Sequence, residues 1–222
     1  MVKNKITTVI FDLDGVLVDT AKFHYLAWKR LAKELGCEFT MEDNERLKGV
    51  SRLRSLDILL EVGGVDCLSE TEKLAFAEKK NEWYVEFLSQ LSEESLMPGV
   101  KKLLIRLKAN GYKIALGSAS KNALRILEKL NVVEYFDTIV DGNMVSKAKP
   151  DPEVFLRAAS NLGVSPESCI VFEDAFSGVE AAKRAGMEVI GIGELKNLSN
   201  ANQCFAGMDS PTIFELFGEC KK

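Results

Sequence analysis

The sequence has a single histidine, His24, in 222 residues, and its five cysteines (Cys37, Cys67, Cys169, Cys204 and Cys220) contain no CxxC. An odd, widely spaced set of this kind excludes a disulfide framework or a zinc ribbon and reads as reduced thiols. A basic excess is missing too: 29 Lys and Arg stand against 33 Asp and Glu, for a net charge of -4. That excludes a nucleic-acid binder working through bulk charge. No stretch approaches the ~18 apolar residues of a membrane helix. The first apolar run is broken by Asp12, Asp14 and Asp19, which does not suit a signal peptide. Internal repeats and low-complexity tracts are also lacking. What remains is 46% hydrophobic and 28% charged, a globular composition with room for one or two domains. The expectation is a cytoplasmic protein, monomeric, with no nucleic-acid or membrane partner.

Five short apolar runs stand out: Ile6–Phe11, Tyr112–Gly117, Thr138–Val140, Cys169–Phe172 and Met187–Ile192. They are rich in Val and Ile and do not alternate with polar residues, as strands buried on both faces should not. From Pro98 onward, helical stripes separate them: Val100, Leu103, Leu104 and Leu107; Leu124, Leu127 and Leu130; Val154, Phe155, Ala158 and Leu162; Val179, Ala182 and Ala185. Gly111, Gly163 and Gly186 stop three of these helices. Such alternation predicts an α/β fold, a doubly wound parallel sheet covered by helices. The stretch from Ala21 to Leu91 breaks it, reading as helices only: Phe23–Leu35, Arg52–Val62 and Ser69–Leu91. It is expected to be a helical domain, 21–91, inserted after the first strand into a core made of 1–20 and 92–222. The tail Gly193–Ser210 is polar and weakly patterned, with a last helix expected at Thr212–Phe217.

Ligands of open parallel sheets bind beyond the carboxyl ends of the strands. Asp12-Leu13-Asp14-Gly15 follows the first strand, Ser118-Ala119-Ser120-Lys121-Asn122 the second, Lys147-Ala148-Lys149-Pro150 the third and Glu173-Asp174 the fourth. Each residue has a task if the substrate carries a phosphoryl group. Asp12 and Asp14, two apart in an extended chain, point the same way while Leu13 turns to the core. One can attack phosphorus and the other can move protons. An anionic nucleophile meeting a phosphate calls for Mg²⁺, a hard cation that Glu173 and Asp174 suit. Lys149 and the Ser118 hydroxyl can hold phosphate oxygens. Backbone N–H groups of Ser120–Asn122, at the start of a helix, favour an anion. Taken singly, DxD is a common surface-loop sequence, Glu173-Asp174 a helix cap, Lys149-Pro150 a turn and His24 a structural histidine. Their joint placement at four strand ends is what the bland readings leave unexplained.

These four segments resemble, in order and over essentially the whole chain, the motifs of the haloacid dehalogenase superfamily of phosphotransferases. The helical insert is similar to the cap of the subgroup whose cap is a small helical bundle. A narrower set resembles the β-phosphoglucomutase family: Asp19-Thr20-Ala21 with His24 and Ala27-Trp28, Leu47-Lys48-Gly49-Val50-Ser51-Arg52, Lys80-Asn81 and Ser118-Ala119-Ser120-Lys121-Asn122. That resemblance implies Asp12 as nucleophile and Asp14 as general acid/base. It implies one Mg²⁺ per site on Asp12, the Asp14 carbonyl, Glu173 and Asp174, with Ser118 and Lys149 on the transferring phosphate. Arg52, Ser120, Lys121 and Asn122 would grip a distal phosphate, and Thr20, His24, Lys48, Gly49 and Lys80 would line the sugar site. Lys48 to Arg52 in one tight turn also makes a phosphate cradle by residue type alone. The implied reaction interconverts β-glucose 1-phosphate and glucose 6-phosphate, primed by glucose 1,6-bisphosphate. A sugar-phosphate phosphatase of the same superfamily shares every core residue and stays open. A phosphoaspartate receiver is roughly half as long and lacks a cap. A silent binding module would have lost a catalytic position, and none is lost.

Overall fold

The computed structural model describes residues 6–47, 50–66, 68–194 and 198–218. The chain runs β1 (Thr8–Phe11), then four helices, α1 (Ala21–Glu34), α2 (Met41–Glu45), α3 (Arg52–Gly63) and α4 (Glu70–Leu88). It continues as α5 (Val100–Ala109), β2 (Lys113–Gly117), α6 (Ala123–Lys129), β3 (Thr138–Val140), α7 (Glu153–Leu162) and β4 (Cys169–Glu173). It ends with α8 (Phe176–Arg184), β5 (Glu188–Ile192), β6 (Gln203–Phe205) and α9 (Pro211–Leu216). The six strands form one sheet in the order β3-β2-β1-β4-β5-β6, every pairing parallel. This is a doubly wound order: from the central β1 the chain passes to β2 and β3 on one side, then crosses back to β4, β5 and β6 on the other.

The strands' continuous apolar runs divide residue by residue between two cores. Val9, Phe11, Ile114, Leu116 and Phe172 join one cluster with α5, α6, α9 and the inserted helices. Ile10, Ala115, Val171 and Val189 join the other with α7 and α8. Period-two side chains thus serve both faces, which is why no polar alternation shows in the sequence. Phe11 stacks on Phe172 with ring centroids 5.0 Å apart, tying β1 to β4 directly beneath Asp12 and Glu173. Replacing such a buried ring by alanine costs about 3–5 kcal/mol.

In the insert, α4 packs against α1 and α3, and Trp28 and Tyr84 are among its largest buried side chains. The two crossings between insert and sheet are joined: Val18 bridges Leu96, and Met97 N–H donates to the Leu17 carbonyl. Two elements lie beyond those the apolar patterning predicts. The weakly patterned tail contains β6, which pairs with β5 from Ile190–Gln203 to Ile192–Phe205. The stretch between the first two expected helices contains α2. Among the described residues no helix is long and apolar enough to cross a membrane.

Candidate active site

All strands being parallel, their carboxyl ends share one edge, and a cavity of roughly 470 Å³ lies between that edge and the inserted helices. Asp12, Asp14, Ser118, Lys149, Glu173 and Asp174 line its sheet side. Leu13 is fully buried, so Asp12 and Asp14 flank a residue given to the core, as their spacing requires. Lys149 Nζ donates to Asp12 Oδ1 and, at 2.6 Å, to Glu173 Oε1. Glu173 Oε2 accepts the Ala175 N–H at 2.9 Å. Burial works against the Lys149 charge, but the Asp12 and Glu173 carboxylates outweigh it and raise its pKa, so it is a fixed cation. Burial raises Glu173, with Lys149 opposing and Asp12 adding to the shift.

Asp14 accepts a hydrogen bond from the Thr20 hydroxyl. Enclosure, and then the Asp12 charge, push its pKa up to about 7, with Thr20 and Lys149 pulling the other way. A carboxyl that titrates near neutrality can both give and take a proton.

Asp12, Asp14 and Glu173 crowd three carboxyls around Lys149, and their ionisation together is what a divalent cation would favour. All donors are oxygen, the choice of a hard cation. Gly15, at φ +83°, leaves the space in which the Asp174 carboxylate lies: a Cβ there would sit 2.1 Å from Asp174 Oδ2. The positive φ and this close approach of Asp174 both require glycine at the position. Among the described residues, however, no three His, Cys, Asp or Glu side chains are gathered tightly enough to hold a metal, because Asp12 and Glu173 both turn to Lys149.

On the helix side, Thr20, His24, Arg52 and Lys80 all reach the cavity. Lys80 is buried, with its Nζ 2.9 Å from His24 Nδ1 and 4.5 Å from the centre of the Trp28 ring. Burial, then Arg52, holds the Lys80 pKa well below the usual lysine value. Burial, then Lys80 and Arg52, does the same to His24, which is therefore neutral. His24 stacks on Tyr84 at 4.0 Å. Arg52 is the first residue of α3, whose N-cap Ser51 accepts from Arg54 N–H. Lys48 and Gly49 lie outside the described residues, as do Cys67 and Cys220.

Ser120, Lys121 and Asn122 line the cavity on the sheet side. The expected use of their backbone amides needs correcting for two of the three. Ser120 N–H donates to Ser118 Oγ at 3.1 Å and Asn122 N–H to Ser120 Oγ at 3.2 Å, so these donors serve the turn itself. The Asn122 side chain instead donates, at 2.9 Å, to Asn81 Oδ1.

Sequence reasoning missed Glu78 and gave Asn81 no role, although both line the cavity. It also missed Gly178, where a Cβ would fall 1.7 Å from Glu173 Oε1. Glycine in a helical stretch costs about 1 kcal/mol against alanine, and that cost was the available signal of close approach.

Residues 9–192 match the family model of haloacid dehalogenase-like hydrolases. The chain is 46% identical over 187 residues to a β-phosphoglucomutase of Bacillus subtilis, covering 84% of this chain and 83% of that one. It is 40% identical over 185 residues to a phosphorylated carbohydrates phosphatase of Thermotoga maritima, covering 82% of each. The crystal structure of a β-phosphoglucomutase from Clostridium difficile superposes with a TM-score of 0.91 at 41% identity, covering 96% of both chains.

Proposed function

Because the chain belongs to the haloacid dehalogenase-like hydrolase family, we propose that it is a Mg²⁺-dependent, cytoplasmic β-phosphoglucomutase. It interconverts β-glucose 1-phosphate and glucose 6-phosphate through glucose 1,6-bisphosphate, acts as a monomer, and carries a cap domain spanning 21–91. The observation that carries this reading is one cavity lined by two distinct sets of groups: the carboxyls Asp12 and Asp14 with Lys149, and the donors Arg52 and Asn122, which meet at Asn81.

The Asp12 carboxylate attacks phosphorus, and the bond from phosphorus to the departing sugar oxygen breaks as Asp14 protonates that oxygen. In the return step the C6 hydroxyl of a β-glucose 1-phosphate attacks the phosphoaspartate, the bond from phosphorus to Asp12 breaks and the hydroxyl proton passes to Asp14, giving the bisphosphate, which turns end for end before Asp12 attacks its other phosphate. The pKa of about 7 suits Asp14 to both transfers. Lys149 and Ser118 hold the moving phosphoryl oxygens, where positioning and fixed charge supply most of the catalysis. Asp12, the Asp14 carbonyl, Glu173 and Asp174 would hold Mg²⁺, which when bound offsets the charge gathered between nucleophile and phosphate. Thr20, His24, Lys48, Gly49 and Lys80 face the sugar, and Arg52, Ser120, Lys121 and Asn122 take the distal phosphate. Enclosure under the cap keeps water from the phosphoaspartate.

The phosphatase reading draws on the relative from Thermotoga maritima and differs in letting water take the phosphoryl group. The test is the time course with β-glucose 1-phosphate. A mutase shows a lag that a trace of glucose 1,6-bisphosphate abolishes, and turns over the α-anomer poorly. A course that starts without a lag and ignores the bisphosphate would contradict the reading.

A further inference from the structure

Arg52 already has an anion at its guanidinium. Its Nη1 donates to Glu78 Oε2 at 2.8 Å and its Nη2 to Asn81 Oδ1 at 2.9 Å. Glu78 and Asn81 lie three residues apart on α4, and Asn81 Nδ2 donates to Glu78 Oε1 at 3.3 Å. From the sheet side, Asn122 Nδ2 donates to the same Asn81 oxygen at 2.9 Å. One carboxylate and one amide oxygen thus occupy the acceptor positions that phosphate oxygens would take on Arg52 and Asn122, with all four residues lining the cavity.

We propose that Glu78 is a built-in counter-anion for Arg52, displaced by the second phosphate of the substrate, and that this exchange selects a dianionic phosphate over weaker occupants of the distal end. The inference rests on the distal-phosphate role given to Arg52 above. The two partners are unequal in burial: the Glu78 side chain is 62% exposed and that of Arg52 20%. Glu78 can therefore swing into water cheaply, since an exposed ion pair is weakly held, while Arg52 stays at the wall. A phosphate repays the exchange because it offers Arg52 two oxygens and a higher charge. A neutral hydroxyl does not displace a carboxylate, and a carboxylate only replaces like with like. Until a phosphate arrives, Glu78 and Asn81 keep the guanidinium aimed at the cavity.

Calorimetric titration of glucose 6-phosphate reads this exchange without turnover. Glu78 is exposed, so Glu78→Gln keeps the fold while removing the competing charge. Glu78→Gln should bind glucose 6-phosphate about two- to fivefold more tightly than wild type, the range that loss of one exposed ion pair commands. The gain should depend on Arg52: Arg52→Ala with Glu78→Gln should bind no more tightly than Arg52→Ala alone. Unchanged or weaker binding in Glu78→Gln, or the same gain without Arg52, would overturn the proposal. An enzyme that releases phosphate from β-glucose 1-phosphate instead of forming glucose 6-phosphate would sink the mutase reading, leaving this inference to the titration.

Discussion

Asp14 owes its acid–base character to where it is held, and that placement has a stability consequence. Its pKa of about 7 lies above the ordinary carboxylate value of 3.8, so the folded protein binds its proton more tightly than the unfolded chain does. The resulting stability is full below about pH 4 and is lost as pH rises through 7. Asp14→Asn, neutral at every pH, should therefore melt higher than wild type at pH 8 and alike at pH 4. Equal melting temperatures at pH 8 would show that enclosure does not set this pKa. Asp12→Asn should keep the fold and lose phosphoryl transfer by at least about a thousandfold, since it removes the proposed nucleophile outright; substantial turnover and covalent labelling by phosphate would take Asp12 out of that role. Asp12, Ser118, Glu173 and Asp174 were legible because each stands at a strand end, whereas Lys149 reaches the site from the loop between β3 and α7 and was legible by its chemistry. Glu78 was not, because an acidic residue on a helix reads as solvated surface until α4 is packed against the start of α3.

At the scale of elements, the placement of Arg52 follows from the Ser51 cap, which fixes the start of α3 and sets the guanidinium at its first residue. Arg52→Ala should raise KM for β-glucose 1-phosphate by at least about tenfold, the loss of a charged hydrogen-bonded contact. Turnover of acetyl phosphate, which has no distal phosphate, should fall far less, and equal losses on both substrates would point to damaged folding. The five apolar runs were readable because each strand gives residues to both cores. By contrast, β6 has three residues, none of them fully buried, and α2 has five, so neither is long enough to show a period. Only the Thr40–Asp43 capping box marks α2 locally. The pairing of β6 with β5 is a tertiary event, created by the return of the tail to the sheet edge rather than by an apolar pattern of its own.

For the whole molecule, one sheet edge and one helical insert enclose a cavity lined by carboxyls and Lys149 on the sheet side and by Arg52 on the helix side. In the proposed cycle the end at Asp12 forms and breaks a bond to phosphorus, while the end at Arg52 only holds. In that cycle a bisphosphate would satisfy both and bind either way round, so that one pair of carboxyls would phosphorylate one end of a sugar and dephosphorylate the other. Exclusion of water from the phosphoaspartate is what separates this cycle from hydrolysis. The most direct measurement is the partition of product from β-glucose 1-phosphate, with Mg²⁺ and a catalytic trace of glucose 1,6-bisphosphate. Glucose 6-phosphate should account for nearly all substrate consumed, with little inorganic phosphate. Stoichiometric inorganic phosphate without glucose 6-phosphate would contradict the account.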